Sequence, residues 1–539
     1  MYIFRAHVLV CTGSACVVEG AMNIKKALVD EIEKKGLSEE IKVVETGCLG
    51  PCAQAPVIVV YPDGVVYGGL HPDDVPQIVE EHLLKGRPVK KFMLPSQQEE
   101  HGVVDYQQKS FFAKESRVVL RHCGQINPEE IEDYISQGGY EMLGKVVTEY
   151  EPEDVIEIIK ESGLRGRGGA GFPTGVKWGL TAPGEKKYLI CNADEGEPGT
   201  FKDRLILEGD PHSVLEGMAI AAYAVGADEG YIYIRGEYPI SIERIQRAIK
   251  QAEDLNLLGE NIFGSGFNIK LMVREGAGAY VCGEETALIE SMEGDRGEPR
   301  VKPPFPGQAG LWGKPTVVNN VETLANVPVI LEKGPEWFKG LGTEQTPGTK
   351  VFTLTGNINN EGLIEVPMGI TLREIIYDIG GGIPEGRGFK LAQTGGTTGG
   401  CLPEEFLDVP LDFDTLAEKG SSLGSGALLI MDDSHCVVDI LKCFMKFFKH
   451  ESCGKCTPCR EGTTRLYNIF AKISRGEGER KDLEQAIRLS RVMQSSALCG
   501  LGQGAVNPVF TIFKYFKDEV EAHLDGICPA GVCGRGDIG

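Results

Sequence analysis

The sequence predicts an α/β and α+β chain of several domains that closes in a helical bundle, and three patterns carry that expectation. Residues 1–95 and 146–344 alternate short apolar strand runs with helical runs, the signature of α/β units. Residues 345–432 are strand-rich, with runs at 351–354 and 428–431 and turns at Asn357 and 380–382. From Cys436 onward apolar residues recur at Val437, Ile440, Leu441, Phe444 and Phe448, a helical spacing, and further helical patterns follow at 464–473, 481–493 and 508–524. A chain of 539 residues has room for roughly three to five such domains.

Composition narrows the function classes. The balance of 55 Lys plus Arg against 78 Asp plus Glu leaves a net charge of −23, which argues against nucleic acid or an anionic membrane as partner. No apolar run approaches the length of about 18 residues that a membrane span needs. The N-terminus also lacks a signal peptide's basic start and cleavage site, so the expectation is a cytoplasmic protein without membrane insertion. Sixteen cysteines in such a chain read as metal ligands before disulfides, and 71 glycines suggest loops where backbone approaches a cofactor closely.

Within 1–95 the expected order is a strand ending at Val10, a helix over 18–35, strands at 41–45, 57–61 and 65–67, and a helix over 74–85. Four cysteines fall in the loops, Cys11 and Cys16 as C-x4-C, Cys48 and Cys52 as C-x3-C. Two pairs brought to one edge suit four-thiolate ligation of a [2Fe–2S] centre, with a redox dithiol or a zinc site as alternatives. The segment resembles the thioredoxin-like [2Fe–2S] ferredoxins, and the resemblance implies these four residues as ligands.

Residues 96–145 turn polar, with Gln97, Gln98, Glu99 and Glu100 and then Gln107, Gln108 and Lys109, and read as a linker and approach segment. A helical pattern over 151–162 leads into a glycine-dense run in which Gly166, Gly168 and Gly171 satisfy G-x-G-x-x-G. The run follows a helix instead of the strand a dinucleotide fingerprint requires, so an ordinary Rossmann site is not expected, only a ligand lying close to backbone. Arg165, Arg167 and Lys177 add positive charge beside exposed amides, a setting that suits a phosphate. A strand at 188–191 then enters the acidic loop of Asn192, Asp194, Glu195 and Glu197, at the strand end where open α/β sheets place ligands. A strand at 231–235, a helix at 241–255 and a second glycine-rich entry from Gly276 to Glu285 continue the pattern.

Taken together, these strings and those around Lys302-Pro303-Pro304-Phe305 and Val318-Asn319-Asn320 resemble the NADH-binding flavoprotein subunit of respiratory complex I and of NAD-linked hydrogenases and formate dehydrogenases. The resemblance covers about 120–515 and implies a Rossmann-like domain for FMN. It implies FMN contacts from Gly166, Arg167, Gly168, Gly169, Gly171, Gly175 and Lys177, and from Asn192, Asp194 and Glu195. Tyr280, Gly283, Glu284, Val318, Asn319, Asn320 and Thr323 complete that set. NADH would lie over the flavin, with Phe172 and Phe305 holding the adenine, Glu197 as the acidic residue of the NADH site, Glu285 near the adenosine ribose and Lys302 balancing charge. A carboxylate at the ribose repels a 2′-phosphate and favours NAD over NADP. The same resemblance makes 345–432 a ubiquitin-like domain of the SLBB type between flavin and cluster. The run Gly395-Gly396-Thr397-Thr398-Gly399-Gly400 within it reads as packing more than binding.

The closing region, 433–539, holds Cys453, Cys456 and Cys459 as C-x2-C-x2-C, with Cys499 forty residues later. Three thiolates on one side of a tight turn read as iron–sulfur ligands, whereas structural zinc usually takes two separate pairs. The family places a [4Fe–4S] cluster on this quartet. The tail presents His523, Cys528 and Cys533 as H-x4-C-x4-C, either a zinc site completed by Cys443 or unligated cysteines near a flexible end.

NADH gives up two electrons as hydride while iron–sulfur centres take one at a time, and a flavin mediates between them. The expected function is a diaphorase module within a multisubunit NADH-dependent [FeFe]-hydrogenase. Its expected partners are the hydrogenase or another catalytic iron–sulfur subunit and a small thioredoxin-like [2Fe–2S] subunit. The chain stops at Gly539, without the further ferredoxin domain of bifurcating relatives, which favours a simple NADH-dependent enzyme. Rival readings are the diaphorase of a formate dehydrogenase, a complex I-like NADH dehydrogenase and, from another class, a flavin-free iron–sulfur scaffold.

Overall fold

The computed structural model describes residues 4–94 and 114–533 and arranges them as three sheets and a helical bundle. The first sheet contains β1 (Ala6–Cys11), β2 (Ile41–Thr46), β3 (Ile58–Tyr61) and β4 (Val65–Tyr67) in the order β2-β1-β3-β4. Strand β1 runs parallel to β2 and antiparallel to β3. The helix Ala21–Lys34 buries Ile24, Leu28 and Ile32, a stripe at helical spacing that packs into the same core as Val8 and Val10. The helix expected over 18–35 is interrupted at Gly20, whose φ of 93° separates the short helix Ser14–Val18 from the longer one. The helix expected over 74–85 is one α turn, Val75–Gln77, continued by a π-helix, Ile78–Leu84.

The second sheet is wholly parallel: β5 (Tyr188–Ala193), β6 (Glu229–Arg235), β7 (Lys270–Gly276) and β8 (Thr316–Asn320), in the order β7-β6-β5-β8. Its central strands are apolar between their ends, as parallel strands covered on both faces must be. The helices Pro211–Val225 and Val321–Lys333 are buried almost all round, and they close on each other at Gly217, where a Cβ would stand 2.1 Å from the Leu324 carbonyl oxygen. Register pairs Asn192 with Asn320, so the C-terminal ends of β5 and β8 deliver both amides to one edge.

Part of the linker expectation, 96–113, lies outside the described residues. The remainder, 114–145, is packed structure: the helix Ile131–Ser136 and the start of Glu141–Glu149 bury Ile131, Tyr134, Met142 and Leu143 in the core of the second sheet. The polar residues there serve a buried network. Glu216 accepts from the Tyr134 hydroxyl (2.6 Å) and from the amides of Tyr140 (3.0 Å) and Leu143 (3.1 Å).

The third sheet contains β9 (Thr349–Gly356), β10 (Gly362–Pro367), β11 (Phe389–Thr394), β12 (Cys401–Pro403) and β13 (Ala427–Asp432), in the order β10-β9-β13-β11-β12 with β9 and β13 parallel at its centre. It shares one apolar core with the first sheet. A buried ion network ties it to the second: Glu322 meets Lys350 at 2.6 Å and Lys202 at 3.0 Å, and Lys202 also meets Asp203 at 2.6 Å. The bundle comprises Val437–Glu451, Thr457–Ser474, Arg480–Ser496, Gly500–Gly504, Asn507–Tyr515 and Lys517–Ala522. The single pattern expected over 508–524 is two helices, because Phe516 leaves helical geometry at φ −124°, ψ 32°.

Candidate active site and cluster-binding sites

A cavity of about 350 Å³ opens at the C-terminal ends of β5 and β8. Of the residues expected at the flavin and NADH, it is lined by Gly168, Gly169, Asn192, Asp194, Glu195, Glu197, Tyr280, Gly283, Glu284 and Asn320. Local hydrogen bonds explain the convergence. Asn192 donates to the Gly283 carbonyl (2.9 Å) and accepts from the Asp194 amide (3.1 Å), which knits two loops together. Glu195 accepts from the amides of Asp203 (2.9 Å) and Arg204 (3.1 Å), the positive end of the helix Lys202–Gly209. Gly168 has to be bare, since a Cβ would stand 2.9 Å from the Asn320 Cβ.

The cavity is acidic and desolvated. Burial pushes Asp194 up to about 7, against the pull of Arg235 at 3.3 Å. Burial and then the neighbouring Asp203 push Glu195 up to about 7 as well. Asp194 Oδ2 is buried without a hydrogen-bond partner. That orphan acceptor, in a cavity walled by bare glycine backbone, fits a flavin, whose ring N–H and ribityl hydroxyls are donors.

Other expected residues are placed differently. The Arg167 guanidinium is fully buried and donates to the carbonyls of Pro347 (2.6 Å), Thr349 (3.1 Å) and Arg165 (3.1 Å). Arg165 donates to the Gly171 carbonyl and to Asp414, both at 2.8 Å. Both arginines therefore clamp the glycine loop to the third sheet, which corrects the expectation that they offer charge to a phosphate. Thr323 accepts from the Arg167 amide (2.8 Å) and Asn319 from the Trp178 indole (2.9 Å), both as buried supports. Gly166 donates to the Phe172 carbonyl, while Gly171 makes room for Phe413 and Gly175 for the backbone of Lys160. Lys177 donates to the Val318 carbonyl (2.8 Å) and pairs with Glu285 (2.9 Å), and Lys302 bridges Glu284 and Glu285. Phe172 and Phe305 are 49% and 54% exposed.

Sequence reasoning misses the roof. Gly395 and Thr398 of the glycine loop, Ser422, Gly424 and Ser425 beside it, and Gly500 and Leu501 of the bundle all line the cavity. The density of glycine is the available signal, though in the chain it reads as packing.

Cys453, Cys456, Cys459 and Cys499 line a second, smaller cavity, together with Val281 and Leu501. Both of those residues also line the larger cavity, so the two share a wall. Cys456 directly precedes the eighteen-residue helix Thr457–Ser474, at its positive end. In the first domain Cys48 and Cys52 lie 3.8 Å apart. Hydrogen bonds from Cys16 and Cys48 hold the Cys11 thiol well below its usual range while both donors are pushed up, so neighbouring thiols compete for one negative charge. A cationic di-iron centre would relieve that competition, and the donor set fits it. Loops beside these cysteines dock on the helix Lys202–Gly209: Ser14 donates its amide to Glu208 (2.8 Å), and a Cβ on Gly47 would stand 2.4 Å from the Gly209 Cα. Asp203, at the other end of that helix, lines the flavin cavity, about 10 Å away along the axis.

In the tail, ligand atoms of Cys436, His523, Cys528 and Cys533 lie within 4.8 Å of one another. Cys436 Sγ is 3.1 Å from His523 Nε2 and 3.5 Å from Cys533 Sγ. His523 Nδ1 donates to the Glu519 carbonyl (2.7 Å), which aims Nε2 at the thiols. The fourth member is thus Cys436 and not Cys443, which is exposed and sits two turns further on, about 10 Å along the helix.

Comparison with known proteins agrees with this geometry. Residues 159–329 match the Nuo51 FMN-binding domain, 439–523 the NADH-ubiquinone oxidoreductase-F iron–sulfur binding region, 3–83 the thioredoxin-like [2Fe–2S] ferredoxin and 351–402 the SLBB domain. The NADP-reducing hydrogenase subunit HndC of Solidesulfovibrio fructosivorans is 56% identical over 423 residues, 78% of this chain and 86% of that protein. The F 2 polypeptide of the NADH-quinone oxidoreductase of Rhizobium meliloti (strain 1021) is 49% identical over 410 residues, 76% of this chain and 97% of that protein. A crystal structure of an NAD+-reducing [NiFe]-hydrogenase in the H2-reduced state superposes with a TM-score of 0.67 at 31% identity, covering 97% of this chain and 84% of that one. Among the described residues no helix is long and apolar enough to cross a membrane. The chain therefore belongs to the Nuo51 family of FMN-binding, iron–sulfur NADH dehydrogenase subunits, with a thioredoxin-like [2Fe–2S] domain in its first 83 residues.

Proposed function

We propose that the chain is the diaphorase subunit of a cytoplasmic, multisubunit NADH-dependent [FeFe]-hydrogenase and delivers electrons to a catalytic iron–sulfur subunit. FMN, when bound, takes hydride from NADH and releases its electrons singly. The observation that carries the reading is the wall of Val281 and Leu501 shared by the flavin cavity and the Cys453, Cys456, Cys459 and Cys499 cavity. Those two side chains are apolar and buried. Asn192 fixes the loop of Asp194 and Glu195, which would help hold the flavin, while Glu197 would receive the nicotinamide nucleotide and Phe172 and Phe305 its adenine. Glu285, half-buried, is held below the usual carboxylate range by Lys177 and Lys302 and suits a ribose hydroxyl, which favours NAD. The hydrogenase context is supported by two relatives named as hydrogenases or their subunits, one of them a [NiFe] enzyme, and the [FeFe] class rests on the cysteine-bearing tail joined to the [2Fe–2S] domain in one chain. Anaerobic NADH should bleach the flavin and reduce a viologen dye faster than NADPH does. A flavin-free protein with intact clusters would favour the scaffold instead, and a copurifying formate-oxidising subunit would move the chain to the formate dehydrogenases.

For the tail we propose a structural zinc held by Cys436, His523, Cys528 and Cys533, a three-thiolate, one-imidazole set. Its role is to pin the segment after the last helix to the start of Val437–Glu451. Metal counting should find about one zinc per chain beside iron, lost in Cys436→Ser and kept in Cys443→Ser. Iron without zinc in the unaltered protein would remove the site.

A further inference from the structure

Glu197 does not stand free in its cavity. Its Oε2 accepts from the Tyr280 hydroxyl at 2.8 Å, and its Oε1 accepts from the Thr397 amide at 2.5 Å and from the Thr397 hydroxyl. Thr397 lies 200 residues further on, in the glycine loop between β11 and β12, and is 4% exposed. The approach needs glycine at 396: its φ is 76°, and a Cβ there would stand 2.2 Å from the Glu197 Cγ. The loop is fastened on its far side to the bundle. The Thr398 carbonyl accepts from Asn507 (2.8 Å) and the Cys401 amide donates to Thr511 (3.0 Å), both on the helix Asn507–Tyr515.

A carboxylate has about four acceptor positions, two on each oxygen. Thr397 fills both on Oε1 and Tyr280 one on Oε2, which leaves a single position for a donor in the cavity. We propose that Thr397 is a positioning residue for NADH: by saturating Oε1 it locks the Glu197 carboxylate so that Oε2 alone is offered to the nucleotide. The proposal rests on Glu197 serving the NADH site and names what holds it there. Packing alone would explain a buried threonine, but not two donors converging on one oxygen of a cavity-lining acid.

The test uses the holoenzyme, assayed anaerobically with NADH and viologen. Thr397→Val should raise KM for NADH roughly tenfold, the scale of a lost charge-assisted hydrogen bond, with kcat and flavin content little changed. Thr397→Ser should restore KM. Losing a donor to the ionised carboxylate should also move the acidic limb of kcat/KM to higher pH. Of the other titratable groups lining the cavity, Asp194, Glu195, Asp203, Tyr280 and Glu284, only Tyr280 bonds Glu197, and that bond is left in place in the variant. In a Glu197→Gln background, Thr397→Val should add much less than it does alone. A Thr397→Val enzyme equal to the parent in KM and pH profile, or one whose full effect persists beside Glu197→Gln, overturns the proposal. If Glu197→Gln itself leaves KM unchanged, the NADH-site reading falls and the proposal with it. An effect of Glu197→Gln with a silent Thr397→Val removes only the positioning role. Should valine not fold, Thr397→Ala against Thr397→Ser isolates the hydroxyl in the same way.

Discussion

Replacing Cys456 with serine should leave NADH able to bleach the flavin while erasing the paramagnetic signal of the NADH-reduced cluster and cutting electron delivery to a partner subunit by about 100-fold or more. The asymmetry follows from geometry. Cys456 caps the helix Thr457–Ser474 and faces the cluster cavity, whereas the flavin cavity is built from other loops and meets that one only through Val281 and Leu501. Dye reduction is the weaker readout here, since a small dye can draw electrons from the flavin directly. Electron paramagnetic resonance and reduction of the copurified subunit are the measurements to compare. A variant with a normal cluster signal and normal partner reduction would show that the quartet is not the conductor.

The second large effect is on folding. Glu322 is 1% exposed and compensates two buried ammonium groups, Lys350 at 2.6 Å and Lys202 at 3.0 Å, while accepting from the Val351 amide at 2.8 Å. Removing one partner of a buried ionic group typically costs about 3–5 kcal/mol, and Glu322→Gln should lose stability on that scale. Lys202 keeps Asp203, so Lys350 is the group left exposed to the full desolvation cost. Burial already draws Lys350 down to about 7 from an ordinary value of 10.5. The sign of the pH dependence follows. Between those two values the unfolded chain binds the extra proton, so the contribution of this group to stability rises with pH across the window. Removing Glu322 takes away the charge that holds Lys350 up and lowers it further. Urea midpoints read by flavin release should therefore show the Glu322→Gln defect as most severe at and below pH 7, where the parent's Lys350 is protonated, and smaller above it. A loss below about 1 kcal/mol at neutral pH would mean that water or relaxation reaches the network.

Elements whose chemistry is local are legible in the chain. Strand β5 and the acid loop after it, the C-x2-C-x2-C turn and the two cysteine pairs of the first domain each announce themselves within a few residues, because apolar runs and ligand spacing are local properties. What depends on contact between distant segments is not legible. Cys436 and His523 are 87 residues apart, and nothing in the spacing favours Cys436 over Cys443; only the position along the helix decides it. Arg165 and Arg167 read as anion binders in the chain, yet the fold turns them onto the Gly171 carbonyl of their own loop and onto Pro347, Thr349 and Asp414 from more than 170 residues further on. The glycine loop over the cavity looks like packing because its partner, Glu197, sits 200 residues earlier. The stretch 114–145 is read as linker together with the polar run at 97–109, because the partners that bury its own polar groups, Asp210 for His122 and Glu216 for Tyr134, lie more than 80 residues further on.

The seat of the first domain on the helix Lys202–Gly209 has a kinetic meaning. A carrier joined to its donor by one polypeptide meets it at a local concentration on the order of millimolar, whatever the dilution of the protein. Any electron exchange with a centre held in that domain would therefore be first order, unchanged by dilution of the protein.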